Sequence, residues 1–514
     1  MAYVENSSGK KPSLFSAITI GVGSIIGSGW LFASYKASKV AGTLALGSWI
    51  IGAFIALLVA LLLAEVATYF SKETGLFARL LSLTHNHDMG FIISSSNWFC
   101  TIIIIPAEAE ATIQYLSQAY PAFSDYVFMD NHFTALGLFF VCMTMLMYGL
   151  INYWGIQLFA KANNAITTFK LIVPAATALI FLAVSYHPEN LTSYHNTIAP
   201  YGYGKMFTAV VACGIFYSFY GFNTITFFSA ELDNPQRNIP LALIGSILIC
   251  LIIYLLLQYS FLVSLDPIQV ATKGWDSFDF ESPLAQLAIL FGMNWMAILL
   301  YVDAAISPSG TGIIFVGSSA RIFTGMAQDG QMPKVFGKIH PLHGVSRLSI
   351  ITTLVFCMAL VIFFDNWDKI MIVVSVFMAI SCIAVPVAFV RLRKTDSTKR
   401  PFTMPAGIIV SYITFIAVTY LLTQCGFVAL VVSLGFHVAL FIIYCVVYYG
   451  NFKSTFKAFL SSWSMFAYLI LTCILSYTTD NSILGELEHF VMLVIVSSIN
   501  YYFMINQKSY QDKK

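Results

Sequence analysis

Charge is scarce in this chain. Only 10% of its 514 residues are Asp, Glu, Lys or Arg, whereas 58% are hydrophobic and the mean hydropathy is +0.80. Soluble domains carry about 25% charged residues, so a soluble globular protein is excluded. The 26 basic and 24 acidic residues nearly cancel and form no basic patch, which leaves nothing for nucleic acid to bind. There is no soluble domain either. The longest polar connections, 186–204 and 266–282, are short and rich in Pro, Gly and aromatics. Nine cysteines all lie in apolar runs and none is paired at metal-ligand spacing, so they read as small buried hydrophobes. No His/Cys/carboxylate spacing points to a metal, and no nucleophile or cofactor motif points to an enzyme. No signal-peptide cleavage site follows the first apolar run, which therefore reads as a retained span.

What remains is an all-α polytopic membrane protein. The apolar runs predict about 14 spans of the roughly 20 residues a bilayer requires. They cover 13–34, 43–70, 90–119, 133–152, 163–185, 206–230, 240–264, 284–318, 347–364, 368–390, 406–424, 427–449, 458–478 and 485–505. With the N-terminus inside, 20 Lys and Arg fall on the inner side and 5 on the outer, and Lys170 alone lies inside a span. By the positive-inside rule both termini are cytoplasmic, in a bacterial-type inner membrane.

Two spans are interrupted. In the first, Gly21, Gly23, Ser24, Gly27, Ser28 and Gly29 fall within nine residues of an otherwise apolar run. Each glycine weakens a helix by about 1 kcal/mol relative to alanine, and a helix broken in hydrocarbon survives only where it lines a cavity or meets a ligand. The N–H groups opening its second half suit a carboxylate. Close packing through small residues is the competing reading. In the sixth span Gly214 and Gly221 flank Tyr217 and Tyr220, and Asn223, Thr224 and Thr226 follow. Interrupted helices at matching positions of two halves mark a transporter site at the bilayer midplane.

The run 228–240, Phe-Ser-Ala-Glu-Leu-Asp-Asn-Pro-Gln-Arg-Asn-Ile-Pro, resembles the signature after the sixth helix of the amino acid–polyamine–organocation superfamily. Gly27-Ser28-Gly29 matches its unwound first helix, and three further stretches agree in order: 64–68, 320–333 and 400–402. The resemblance implies a leucine-transporter-type fold with two inverted five-helix repeats plus four further C-terminal helices, working by alternating access. Its boundaries here are a tail at 1–12, repeats at 13–185 and 206–391, a basic linker at 392–405, peripheral spans at 406–505 and a tail at 506–514. The two spans beyond the twelve of many relatives are a departure. The resemblance further implies that the substrate's carboxylate meets the backbone at Gly27, Ser28 and Gly29. Its amino group would meet carbonyls near Ile25, Tyr217 and Tyr220, with Tyr217 as the gating aromatic and Gly221 and Asn223 also in the substrate site. Asn223 stands where several proton-coupled relatives carry an acidic residue, which puts the usual proton carrier in doubt.

Ionisable residues inside spans are functional hypotheses by default. Glu108 and Glu110 follow Pro106 in span three, pointing about 200° apart on a helix, so one at most faces a single site. Asp303 shares a face with Ser307 in span eight. Each also reads as a protonated group tying helices together. Lys170 lies deep in span five, where an ammonium must snorkel, pair or lose its proton. The resemblance places Lys170 with a subset of sodium-independent members in which a lysine at this position stands in for a sodium ion. That implies contacts from Lys170 to carbonyls near Gly21–Gly23 and to Ser307 or Ser309.

The expected function is a secondary amino acid transporter, proton-coupled or exchanging and sodium-independent, with protons and the lipid bilayer as its other partners. An aspartate:proton symporter-like member is the weaker, finer reading. An amine or polyamine transporter of the same fold is the alternative. A channel or sensor would need a continuous polar pore or a signalling domain, and a membrane enzyme clustered catalytic groups; none is present in the sequence.

Overall fold

The computed structural model describes residues 13–507 except 74, 120, 130–131, 155, 341–345 and 364–366. Ser13 caps α1 (Leu14–Ile25), which stops inside the glycine-rich run, and α2 (Gly29–Ala41) resumes after a non-helical step. α3 (Ala45–Tyr69) returns and α4 (Leu76–Thr84) follows it. The Asn86 side chain then accepts from the Met89 N–H at 2.8 Å and caps α5 (His87–Gln118). Beyond α6 (Pro121–Val127) lies a short antiparallel ribbon that hydropathy could not reveal, pairing β1 (Phe128–Met129) with β2 (His132–Phe133). α7 (Ala135–Trp154) and α8 (Ile156–Val184) follow, with α9 (Asn190–Ser193) in the next loop.

The second interruption cuts its span into α10 (Lys205–Ala212), α11 (Ile215–Ser218) and a 3₁₀ stretch, Phe222–Glu231. Of the 228–240 signature, the side chains of Phe228, Ala230 and Glu231 lie outside the described set. The second half runs through α12 (Pro235–Ser264), α13 (Pro267–Lys273), α14 (Pro283–Leu290), α15 (Asn294–Gln328), α16 (Arg347–Phe363) and α17 (Trp367–Thr395). Four more helices end the described chain: α18 (Gly407–Thr423), α19 (Phe427–Tyr449), α20 (Phe452–Asp480) and α21 (Glu486–Asn506).

Each expected span falls on helix, although the first, the sixth and 284–318 are interrupted, and among the described residues ten helices have the length and apolarity to cross a membrane. The shortfall has local causes. The first span is broken, the sixth is cut into pieces, and α16 and α18 have 17 residues each. Five of the long helices carry an internal proline, at Pro106, Pro174, Pro240, Pro308 and Pro386, which buried membrane helices tolerate when neighbours satisfy the freed carbonyls. Ser411 of α18 donates to the Pro386 carbonyl at 2.8 Å and ties α18 to α17 beside its proline.

α5 is the axis of the bundle. Its most apolar stretch is 94% buried, against 33% for α7 and α19, and it packs against α15, α17 and α4. Asp88 in its first turn accepts from Tyr444 (3.2 Å) and Tyr449 (2.6 Å) of α19 and from Ser461 of α20. Those hydroxyls satisfy a buried carboxylate and fix the C-terminal helices to the axis.

Candidate functional site

The two interruptions meet backbone to backbone. Gly221 has φ 119°, open to glycine at little cost, and a Cβ there would fall 2.5 Å from the Ser24 carbonyl oxygen. A Cβ on Gly29 would fall 2.4 Å from Ser218 Oγ, so that glycine is needed for packing between the breaks. Thr224 Oγ1 donates to Ser24 Oγ at 2.9 Å, and Tyr254 of α12 donates to the Ser218 and Ile25 carbonyls at 3.0 and 3.4 Å. The Ile25 carbonyl, expected to meet a substrate amine, also accepts from the Gly27 N–H at 3.0 Å.

The anion cradle at the first break holds a carboxylate from the protein itself. The Ser28 N–H donates to Glu108 Oε2 at 2.7 Å, and the Tyr217 hydroxyl donates to Glu108 Oε1. Gly27 makes the approach possible, since a Cβ there would lie 2.4 Å from Oε1 and 2.9 Å from Oε2. Glu108 is wholly buried, and so is Glu110 two positions on.

Lys170 is also buried, and its ammonium crosses from α8 to the first break. Nζ donates to the Gly23 carbonyl at 2.8 Å and to Thr311 Oγ1 at 2.7 Å. Thr311 in turn lies 3.1 Å from the Ile26 carbonyl and 3.4 Å from that of Ser307. The Gly23 contact matches the expectation. The side-chain partner is instead Thr311, while Ser307 Oγ donates to Asp303 Oδ1 at 2.8 Å and Ser309 Oγ accepts from Tyr148 at 3.2 Å. Asp303 Oδ2 is buried with no hydrogen-bond partner among the described residues.

Tyr220 and Asn223 stand apart from Glu108. The Tyr220 hydroxyl accepts from Asn97 Nδ2 at 3.2 Å and from Asn223 Nδ2 at 3.5 Å, and its ring stacks on Phe315 at 6.0 Å. Asn97 and Thr311 were not singled out from sequence. Asn97 did leave a signal, since it lies eleven residues before Glu108, about three helical turns, and so shares its face of α5. Thr311 left none, as a threonine in a helix ordinarily bonds its own backbone.

The amino acid permease family model matches residues 13–452. The chain belongs to the amino acid permease family. It is 33% identical over 98% of its length to a glutamate/serine transporter, AimA, of Bacillus subtilis, covering 94% of that protein. It is 31% identical over 95% of its length to an aspartate-proton symporter of the same organism, again covering 94%. A branched-chain amino acid permease, BcaP, is 23% identical over 83% of the chain and 90% of its own length. The permease is therefore a multi-pass membrane protein and not an enzyme.

Three stretches that carried the resemblance meet at one end of the permease bundle. Glu65 of α3 accepts from Arg393 at 2.9 and 2.6 Å, from the Met404 N–H at 2.7 Å, and pairs with Arg400 at 3.3 Å. Arg79 of α4 forks onto Asp329 at 2.9 and 2.6 Å and reaches Glu73 at 2.9 Å. Burial opposes the Arg79 charge, but the two carboxylates outweigh it and raise its pKa. Close by, bonds from Thr398 and Tyr69 hold the Asp396 carboxyl down at about 2.

Proposed function

We propose that the permease carries amino acids by alternating access, without sodium, driven by a proton gradient or by exchange. Its two inverted repeats are 13–185 and 206–391, with 392–405 a linker and 406–505 peripheral spans. The lysine and arginine count supports cytoplasmic termini in a bacterial-type inner membrane, and puts the Glu65 and Arg79 clusters at the inner end. The observation that carries the reading is the buried carboxylate on the Ser28 N–H. Glu108 stands where the substrate's carboxylate binds, with Tyr217 above it, and a substrate takes the cradle by displacing it. Both Bacillus relatives named for transport of acidic amino acids or serine support a substrate of that kind.

Coupling falls to Lys170. Its ammonium ties α8, α15 and the first break together, a tie that a bound cation would otherwise supply. A lysine can lose its proton during a cycle, whereas a fixed charge cannot. In proteoliposomes, wild-type uptake should run in sodium-free buffer and quicken with an inward proton gradient. Lys170→Met should stay folded and lose at least tenfold of that uptake. A strict sodium requirement, or an unimpaired Lys170→Met variant, overturns the coupling assignment. Glu108 in the cradle also favours a second reading. An amine without a carboxylate could bind while Glu108 stays, and strong inhibition by decarboxylated analogues would select that amine-transporter reading.

A further inference from the structure

Asp303 is a buried carboxyl with half of its bonds made. It is 0% exposed on α15, where Oδ1 accepts from Ser307 Oγ at 2.8 Å and Oδ2 has no hydrogen-bond partner among the described residues. An ionised carboxylate out of water needs a cation or several donors, and one hydroxyl is neither. The groups that face it are few. Lys170 of α8 is the cation whose charge reaches it. On α5, Tyr115 stands level with it, its ring 6.3 Å from that of Tyr301 and its hydroxyl donated to the Leu31 carbonyl at 2.9 Å. Glu110 and Glu108 come about one and a half and two turns further along α5, and Glu108 is held by Ser28 and Tyr217. Tyr148 of α7 is bonded to Ser309, and the one charge on α16, Arg347, lies over Tyr153. α14, which packs against α15, carries no charged residue.

The Ser307 hydroxyl sits at a weak point of α15. Pro308 follows it and, having no N–H, leaves the Ala304 carbonyl without its helical donor. One turn beyond Ser307, Thr311 meets the Lys170 ammonium at 2.7 Å and stands 3.1 Å from the Ile26 carbonyl at the first break. The Ser307 bond is stronger to an ionised carboxylate than to a neutral acid, so the charge on Asp303 bears on the turn that carries Pro308 and Thr311. We propose that Asp303 binds the transported proton, taking it from the water on one side and giving it to the water on the other, and that its charge reaches the first break through Ser307 and the Pro308 turn. This rests on the transport reading above. Asp303 supplies the proton's binding site, and Lys170 the tie that responds to it.

Asp303→Asn keeps the size of the group and the oxygen that accepts from Ser307, but has no proton to exchange. The test compares two rates of labelled serine uptake in sodium-free proteoliposomes of the full chain: accumulation under an inward proton gradient, and counterflow at equal pH against unlabelled serine. Wild type should show both. Asp303→Asn should keep counterflow within about threefold of wild type and lose about tenfold or more of the gradient-driven accumulation, and Asp303→Glu should recover part of that loss. Because both rates come from one preparation, protein lost to misfolding lowers both and cannot mimic the split. Equal loss of both rates in Asp303→Asn would make Asp303 a tie between helices, and unchanged accumulation would take it out of the proton's path; either result overturns the proposal. So does a wild type that counterflows but does not accumulate. Absence of counterflow in wild type would instead overturn the transport reading on which the proposal rests.

Discussion

Clearance at one residue decides how the first break is filled. Gly27 lets the Glu108 carboxylate lie where any side chain would collide, with contacts of 2.4 to 2.9 Å to three of its atoms. Gly27→Ala should destabilise the permease by about 1–3 kcal/mol, as overpacking of a close-packed interior does. Glu108→Ala alone removes the bonds that Glu108 accepts from the Ser28 N–H and the Tyr217 hydroxyl, and should cost a similar amount. Made together, the two changes should cost clearly less than their sum, because removing Glu108 relieves the clash at residue 27. Thermal unfolding of the four proteins in detergent measures this, and additive losses would show that Gly27 and Glu108 do not oppose each other. At this scale the sequence revealed what was costly. An ammonium inside an apolar run has to find acceptors, so Lys170 was legible, and so was one glutamate of the pair. Which hydroxyl received the ammonium was not legible, because Ser307, Ser309 and Thr311 all follow one another on α15 and differ only in their neighbours.

Among the elements, the long helices could be read from hydropathy alone, and both breaks from their glycines. The 3₁₀ stretch Phe222–Glu231 and the ribbon of β1 and β2 could not, since each is set by the packing around it and not by local periodicity. The corner between α4 and α5 shows the same dependence. His85 lies there half-buried beside Arg391 of α17, with Thr84 Oγ1 2.8 Å from its Nδ1. Burial, and then the Arg391 charge, push its pKa down to about 3. The folded state thus holds the neutral ring, while the unfolded chain takes up a proton near its ordinary value of about 6.5. Stability from this group is whole above pH 6.5 and is lost as pH falls from there toward 3, by up to about 1.4 kcal/mol per unit. The melting temperature of the wild type should fall between pH 6.5 and 5, and a His85→Gln variant should fall less steeply. An equal slope in the two proteins would remove His85 as the source. Asp396 titrates lower, near 2, and leaves this window undisturbed.

For the whole molecule, the central claim is that one site, built where two broken helices cross, is reached from each side in turn. The C-terminal helices hold α5 through Asp88, and the ion pairs of Glu65 and Arg79 close one end of the bundle. A carrier of this kind exchanges; a channel does not. The most direct measurement is counterflow in sodium-free proteoliposomes, loaded with unlabelled serine or glutamate and diluted into a trace of the labelled compound. Saturable, stereoselective uptake that overshoots its equilibrium level and then decays is the expected result. Uptake that rises in proportion to concentration and ignores the internal substrate would contradict it.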